Sequence, residues 1–307
     1  MARYIVRRLL LAIPVLIGAS FLIFAMVFAL PGDPIRALGG DRPISPAVQQ
    51  ELRDRYNLDD PLLVQYGKYV GNLAQGDLGT DFSGRPVSDI LERSALVTVK
   101  LALVALAFEA IFGLLAGVLA GIRQKSFFDN LVLVTTTLIV SIPVFVLGFL
   151  AQYALGLRLG IFPIAGVADG FKGYILPGFV LAALSLAYVA RLTRTSLVEN
   201  LRNDYVRTAR AKGLSPATVV GKHTLRNSLI PVVTFLGADL GTLLSGAVVT
   251  EGIFNIPGLG RAVFQAIQTQ EGTVVVGIVT LFVFVYIFFN LVVDVLYAAL
   301  DPRIRYE

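Results

Sequence analysis

The sequence contains no cysteine and only one histidine, His223, among its 307 residues. The absence of cysteine excludes disulfide bonds and thiolate chemistry, and a single imidazole leaves little for a transition-metal site. Charged residues are also scarce, at 15% against about 25% in an average soluble domain. Hydrophobic residues make up 56% of the chain, and its mean hydropathy is +0.75. This balance indicates a polytopic membrane protein.

The formal net charge of +5 could suggest a nucleic-acid partner. In a membrane protein such an excess reflects cytoplasmic Arg and Lys that set the orientation, so we expect contact with membrane lipid and none with nucleic acid. The sequence also lacks a G-x-x-x-x-G-K-[ST] phosphate loop. Its nearest approach, the GKH at Gly221 to His223, has neither the upstream glycine nor the final hydroxyl. We therefore expect this chain to bind no ATP itself.

Six apolar segments are predicted to span a bilayer as helices, each near the required length of about 20 residues: 9–30, 95–122, 131–155, 174–190, 229–250 and 273–299. The first is longer than the apolar core of a cleaved signal peptide, about 7–15 residues, so we predict a retained helix. The fourth is short and contains Pro177. The fifth is interrupted by Pro231, Gly237, Asp239 and Gly241. Six spans would place both termini on the same side.

The distribution of basic residues predicts which side that is. The N-terminus, the connection after the second span and the C-terminus all carry Arg or Lys. The connection after the fourth span is the most basic: Arg191, Arg194, Arg202, Arg207, Arg210, Lys212, Lys222 and Arg226. Because short cytoplasmic loops are enriched in Lys and Arg, we expect both termini and this loop, residues 191–228, in the cytoplasm.

The chain is thus predicted to comprise a first span, 1–30, a small helical extracytoplasmic lobe, 31–94, and a five-helix core, 95–307. Ser45 and Pro46 predict a helix start in the lobe, as an N-cap followed by proline at the first helical position. Val48, Leu52 and Tyr56 then give it one apolar face. A second helix is expected from Leu62 to Leu73. The lobe could be a lid over helix ends or a docking surface for an external partner.

Small and ionisable residues stand out within the spans. Gly113, Gly117 and Gly121 form a small-xxx-small ladder that predicts close helix packing, and Gly237 and Gly241 repeat it in the fifth span. Glu109, Asp239 and Asp294 are acidic, and each should face the bundle interior, a partner or a water-filled path. Asp294, near the cytoplasmic end of the last helix, could pair with a nearby Arg. Asp239 lies in the interrupted span, and we select it with Gly237 and Gly241 as a translocation-pathway candidate.

The basic loop contains several residues that typically end or begin a helix. Residues from about Thr195 to Lys212 predict a helix, Gly213 a left-handed helix end, Ser215 an N-cap and Pro216 the first position of a second helix. Alanines 209, 211 and 217 leave little bulk around this corner, which could enter a cleft on another protein. The alternative is an ordinary basic loop that only obeys the positive-inside rule.

The loop sequence YVRTARAKGL, 205–214, resembles the cytoplasmic EAA motif of ABC importer permeases in its peptide-transporter form. The resemblance continues through LRNSLIPVVT, 225–234, and covers nearly the whole chain. The start, RRLLLAIPVLIGASFLIFAMVFALPGDP, is similar to the B-type permease of dipeptide, oligopeptide and nickel importers. So are GDLGTDF, TEGIFNIPGLGR and NLVVDVLYAALDPRIR. Arg207-Thr208 replaces the leading Glu-Ala of the general motif, as in other peptide-family permeases.

This resemblance implies the type I ABC importer permease fold in a bacterial inner membrane. It implies a heterodimer with a homologous second permease, two cytoplasmic ABC ATPases that bind ATP and Mg²⁺, and an extracytoplasmic substrate-binding protein. It also implies the ATPase-coupling residues: Tyr205, Arg207, Thr208, Ala209, Arg210, Ala211, Lys212, Gly213 and Leu214. Short peptides are the expected substrate, with glutathione, haem or nickel as further possibilities.

Two other functions remain open on the residues alone. A proton-coupled secondary carrier could use Glu109 or Asp239, although such carriers often contain internal repeats and none is visible here. An intramembrane protease would need a serine with a buried basic partner or two facing aspartates, and Asp239 and Asp294 would qualify only if adjacent.

Overall fold

The computed structural model describes residues 2–29, 35 and 45–300, with side chains for 7–29, 35 and 45–293. Within these ranges the chain is helical and has no β-strand, as the composition predicts. The helices are α1 Ala2–Phe28, α2 Pro46–Tyr56, α3 Leu62–Ala74, α4 Val87–Phe108, α5 Leu114–Ile122, α6 Phe127–Ser141, α7 Val144–Ala151, α8 Lys172–Asn200, α9 Asp204–Ala211, α10 Pro216–Thr218, α11 Leu225–Ser228, α12 Ile230–Ile253, α13 Leu259–Gln268 and α14 Gly272–Leu300. Three π-helical segments, Glu109–Gly113, Gln152–Arg158 and Val219–Thr224, continue α4, α7 and α10.

The chain divides into two compact units. The first comprises Val99–Ile256 and the end of α14 from Phe288, and the second comprises Ala2–Thr98 and Pro257–Ile287. The second unit therefore contains α1, α2, α3 and α13, whereas the first contains α5 to α12.

Five helices among the described residues are long and apolar enough to cross a membrane, and the number is six if a bent pair forms one span. That pair, Phe127–Ser141 and Val144–Arg158, is bent by 105°. The segment 131–155, predicted as one span, therefore does not form one straight helix. Ile142 is extended and Pro143 follows it, and a residue before proline is driven out of the helical conformation.

The fourth predicted segment is longer than its hydropathy suggested. It forms α8, a helix of 29 residues, and Pro177 lies within its first two turns. This helix is the centre of the first unit and contacts α5, α6, α7, α12 and the π-turn Glu109–Gly113. Its burial is consistent with its many small residues, which allow neighbouring backbones to approach.

The second unit confirms the two helices predicted for the lobe. Ser45 caps α2, with its Oγ accepting from the Val48 amide, and Pro46 occupies the first helical position. Val48 stays exposed, so the predicted apolar face of α2 is only partly covered. Residues 31–34 and 36–44 of the lobe lie outside the described part of the chain.

Helix α3 packs its aromatic residues on α1. Phe24 of α1 is buried against the rings of Tyr66 and Tyr69. The Tyr69 hydroxyl donates to Thr280 Oγ1 at 3.1 Å, and burial raises the pKa of this phenol above its ordinary value. The lobe is therefore joined to two apolar helices of its own unit.

Candidate functional site

The basic loop begins with a break that the sequence analysis missed. The single helix predicted from Thr195 to Lys212 is divided: α8 ends at Asn200, residues 201–203 form a turn, and α9 begins at Asp204. Asn200, Asn203 and Asp204 supply the signal, because short polar side chains compete with the helical backbone and favour turns and caps. The separation of α9 from α8 makes α9 a distinct element of the loop.

The corner after α9 forms as predicted. Gly213 has a φ of +79°, its amide donates to the Arg210 carbonyl, and the Leu214 amide donates to the Ala209 carbonyl. This pairing is a Schellman-type helix end, which requires a left-handed residue at the glycine position. Ser215 then caps α10 by accepting from the Thr218 amide, and Pro216 is its first residue. The helix, corner and helix predicted for this loop are confirmed as local structure.

The loop has its own small core. Val206 and Ala209 of α9 pack with Val219 of the following π-helix, and all three are buried. Ala209 therefore supports the corner from within, whereas the other eight predicted coupling residues lie on the exposed side: Tyr205, Arg207, Thr208, Arg210, Ala211, Lys212, Gly213 and Leu214. A Cβ added at Gly213 would meet no atom within 4 Å. The corner is thus an exposed, basic surface that also presents the apolar side chain of Leu214.

Two hydrogen bonds tie the ends of this loop to α8. The Tyr205 hydroxyl donates to Asn200 Oδ1 at 2.7 Å, and the buried Ser228 hydroxyl donates to the Ser196 carbonyl at 3.4 Å. Both contacts reach the last turns of α8. A displacement of the loop would therefore be transmitted first to the C-terminal end of this helix.

The three glycines of the second span lie against α8. An added Cβ would come within 2.8 Å of Val189 at Gly113, 2.5 Å of the Ala190 carbonyl oxygen at Gly117 and 2.9 Å of Leu197 at Gly121. Distances below 3.0 Å leave no space for a methyl group unless the neighbour moves. At these three positions only glycine permits the close approach of α5, and of the π-turn before it, to α8.

Of the three acidic residues predicted within the spans, two lie close together, Glu109 and Asp239. Asp239 is buried, and its carboxyl group interacts with that of Glu109, which is fully buried in the π-turn after α4. Neither oxygen of Glu109 has a hydrogen-bond donor among the described residues. Gly237 packs on Val293, with an added Cβ 2.9 Å from its side chain, and Gly241 is buried. The side chain of Asp294 lies outside the described residues.

An ion pair near the loop was not predicted. Asp129, buried at the start of α6, accepts from the Arg194 guanidinium, with Nη2 2.8 Å from Oδ2, and from the Lys125 amide at 2.8 Å. Arg191, one turn earlier on α8, donates to the hydroxyls of Thr136 and Thr137. The sequence analysis placed both arginines in the loop, whereas they lie on α8. Their spacing of three residues on a helix was the available signal.

Comparisons with known proteins agree along the whole chain. Residues 113–306 match the family described as binding-protein-dependent transport system inner membrane component, and residues 1–86 match the N-terminal region of such components. The glutathione transport system permease protein GsiC of Escherichia coli (strain K12) is 41% identical over 308 residues. The di/tripeptide transport system permease protein DppB of Pseudomonas aeruginosa (strain UCBPP-PA14) is 41% identical over 335 residues. Each alignment covers 100% of both chains.

A solved structure shares the fold. A chain of the MetNI methionine ABC transporter in an inward-facing conformation matches with a TM-score of 0.55 and 22% identity, covering 69% of this chain and 96% of that chain. The fold and the sequence together define a multi-span permease subunit of an ABC transporter.

This chain belongs to the family of binding-protein-dependent transport system inner membrane components, as the sequence resemblance predicted. It is therefore a non-catalytic component of the bacterial inner membrane. Permeases of this family work with a partner permease, ATPases and a binding protein. The proton-coupled carrier and the intramembrane protease gain no support from these findings.

Proposed function

We propose that this chain forms half of the translocation pathway of an ATP-driven importer of short peptides, together with a homologous second permease. The substrate class is supported by the relatives, whose names specify di- and tripeptides or glutathione, itself a tripeptide. Two ABC ATPases bind ATP and Mg²⁺, and an extracytoplasmic protein delivers the peptide.

The coupling surface in this proposal is the loop 204–228, and the exposed Gly213 corner carries the argument. The corner is fixed by local hydrogen bonds and has open space around Gly213, and the loop that contains it is tied at both ends to α8. Closure of the ATPases on ATP binding pushes on this corner, and α8 passes the displacement to the helices packed around it. Asp239, Gly237 and Gly241 remain our candidates for the pathway.

The test replaces Gly213 with valine. A β-branched residue at a φ of +79° costs roughly 1–2 kcal/mol, so the corner changes shape although space is free around it. In proteoliposomes we expect peptide-stimulated ATP hydrolysis to fall about tenfold, the factor that 1.4 kcal/mol represents. Gly71→Val is the matched control, because Gly71 also has open space, has no positive φ and lies outside the loop 204–228. Unchanged coupling in Gly213→Val, with the complex intact, would refute this role.

The proposed orientation places both termini in the cytoplasm, and it requires the bent pair of α6 and α7 to cross as one span. The cysteine-free sequence allows this to be measured with single exposed cysteines. We expect Lys125→Cys to react with an impermeant maleimide only from the inside, and Asp169→Cys only from the outside. Labelling of both positions from the same side would show that the pair re-enters the membrane, and would overturn the orientation.

A further inference from the structure

A cavity of about 590 Å³ lies within the second unit. Its walls come from the loop before α4, the first turns of α4, helix α13 and the start of α14. In the proposed orientation, this end of the unit faces the outside. Ligand sites for small molecules are concave and occupy about 300–1,000 Å³, and the volume of this cavity falls within that range.

Three arginines line the cavity, against two acidic side chains. Arg85, Arg93 and Arg261 face Asp81 and Glu271. Asp81 is already committed: its Oδ1 accepts from the amides of Ser83 and Arg85, and its Oδ2 accepts from Arg85 Nε at 2.8 Å. The five charged residues that line the cavity therefore carry a formal charge of +1.

The first of these arginines is held in place before any ligand arrives. The buried carboxylate of Asp81 fixes the Arg85 guanidinium, yet the Arg85 side chain remains 64% exposed. A guanidinium has five N–H donors, and Asp81 occupies only part of them. Donors fixed in this way lose little freedom on binding, which favours affinity for a planar anion such as a carboxylate.

The wall that carries Arg85 is itself fixed. Gly79 has a φ of +82° and its carbonyl accepts from the Val87 amide. An added Cβ at Gly79 would lie only 2.6 Å from the Thr273 side chain, so the loop sits directly on α14. The position of Arg85 relative to the other walls is thus set by backbone contacts.

The second arginine offers a full set of donors. Arg93 is exposed and forms no ion pair with the side chains that the structure describes. Glu271, the second acidic side chain of the cavity, accepts a hydrogen bond from the Thr269 hydroxyl at 3.4 Å. Guanidinium groups can bind the carboxylate of a zwitterionic peptide, and a glutamate carboxylate can bind its ammonium group.

We propose that this cavity is a binding site for free short peptides on the permease itself, with the peptide carboxylate held by Arg85 and Arg93 and its ammonium group near Glu271. Gln265 and Gln268 of α13 supply amides for the peptide backbone. The proposal deepens, and rests on, the proposed function as a peptide importer. It adds a substrate contact outside the span helices.

The test measures binding of radiolabelled trialanine to the complete importer in nanodiscs, without nucleotide or binding protein, by equilibrium dialysis. Each arginine is expected to donate a charge-assisted hydrogen bond to the peptide carboxylate. Its loss in Arg93→Gln should weaken trialanine binding about tenfold, and its loss in Arg85→Gln should have the same effect. Trialanine with a C-terminal amide should bind about tenfold more weakly than trialanine to the unmodified complex. Arg158→Gln, another exposed arginine outside this cavity, should change nothing.

Trialanine that fails to bind, or that binds equally well to Arg93→Gln, would overturn the proposal, and so would an equal affinity for the amide. Arg93 is exposed and forms no ion pair within the described part of the chain, so its variant tests the site even if Arg85→Gln does not fold. If Arg93→Gln instead weakens only the docking of the binding protein, the cavity recognises a carboxylate of that protein and the peptide site is refuted. Uptake assays with the binding protein distinguish this site from the proposed function. Peptide uptake without direct binding of trialanine refutes only this site. Absence of peptide uptake refutes the proposed function.

Discussion

Helices α1 and α8 differ in how much of their surface is buried, and the difference is the opposite of the one that hydropathy alone predicts. The most apolar stretch of α1 has a mean hydropathy of 2.6, yet only 11% of it is buried within the protein. The corresponding values for α8 are 1.8 and 56%. The less apolar helix is therefore the central one, and the more apolar helix presents most of its surface outward.

The difference follows from the solvent. In a bilayer the surrounding lipid is as apolar as leucine, so burial of leucine gains nothing, and helices associate through close packing and polar contacts. Helix α8 carries alanines, Thr193 and two paired arginines, and it faces the glycines of α5 and of the π-turn before it. Small and polar residues lower the hydropathy of a helix, yet in this protein they are the residues that favour its burial against other helices.

The largest effect should come from filling the α5–α8 contact. Gly117→Leu would place a side chain where even a Cβ comes within 2.5 Å of the Ala190 carbonyl oxygen. Backbone cannot move aside as a flexible side chain can, so we expect a loss of more than about 3 kcal/mol, beyond the usual cost of overpacking. The yield of monodisperse protein after detergent extraction should fall severely.

Gly18→Leu in α1 is the matched control, because an added Cβ at Gly18 meets nothing within 4 Å. The same substitution should leave the yield and the thermal unfolding temperature unchanged there. Equal losses at Gly18 and Gly117 would mean that the contrast between outward-facing and central helices does not govern stability.

The sequence predicts the local features of this protein better than its long-range ones. Gly213, Ser215 and Pro216 define the coupling corner because each acts on its own backbone, and the Ser45–Pro46 helix start was accessible for the same reason. Pro143 was present but was passed over, since the apolar run continues on both sides of it.

The contacts between distant residues could not be predicted. Asp129 and Arg194 are 65 positions apart, and nothing in either neighbourhood identifies the other. The proximity of Glu109 to Asp239 likewise depends on how the π-turn after α4 is placed. The burial of α8 could not be predicted from its hydropathy, because hydropathy measures affinity for lipid, whereas the position of a helix depends on its fit to its neighbours.

A smaller effect should come from the polar tie between α8 and α6. Asp129 is buried and accepts from Arg194, whose side chain is 24% exposed. Removal of one partner from a fully buried pair costs about 3–5 kcal/mol, and partial access of Arg194 to water lowers our expectation for Asp129→Asn to about 2 kcal/mol. Asp59→Asn, which affects an exposed pair with Arg53, should cost less than about 1 kcal/mol.

A double-mutant cycle distinguishes the ion pair from a general effect of the substitution. If Asp129 acts through Arg194, then Arg194→Gln combined with Asp129→Asn should cost clearly less than the sum of the two single changes in SDS-induced unfolding. Strictly additive losses would mean that the two side chains stabilise the protein independently. In that case the close fit of α8 to its glycine-bearing neighbours, without this polar contact, would account for its central position.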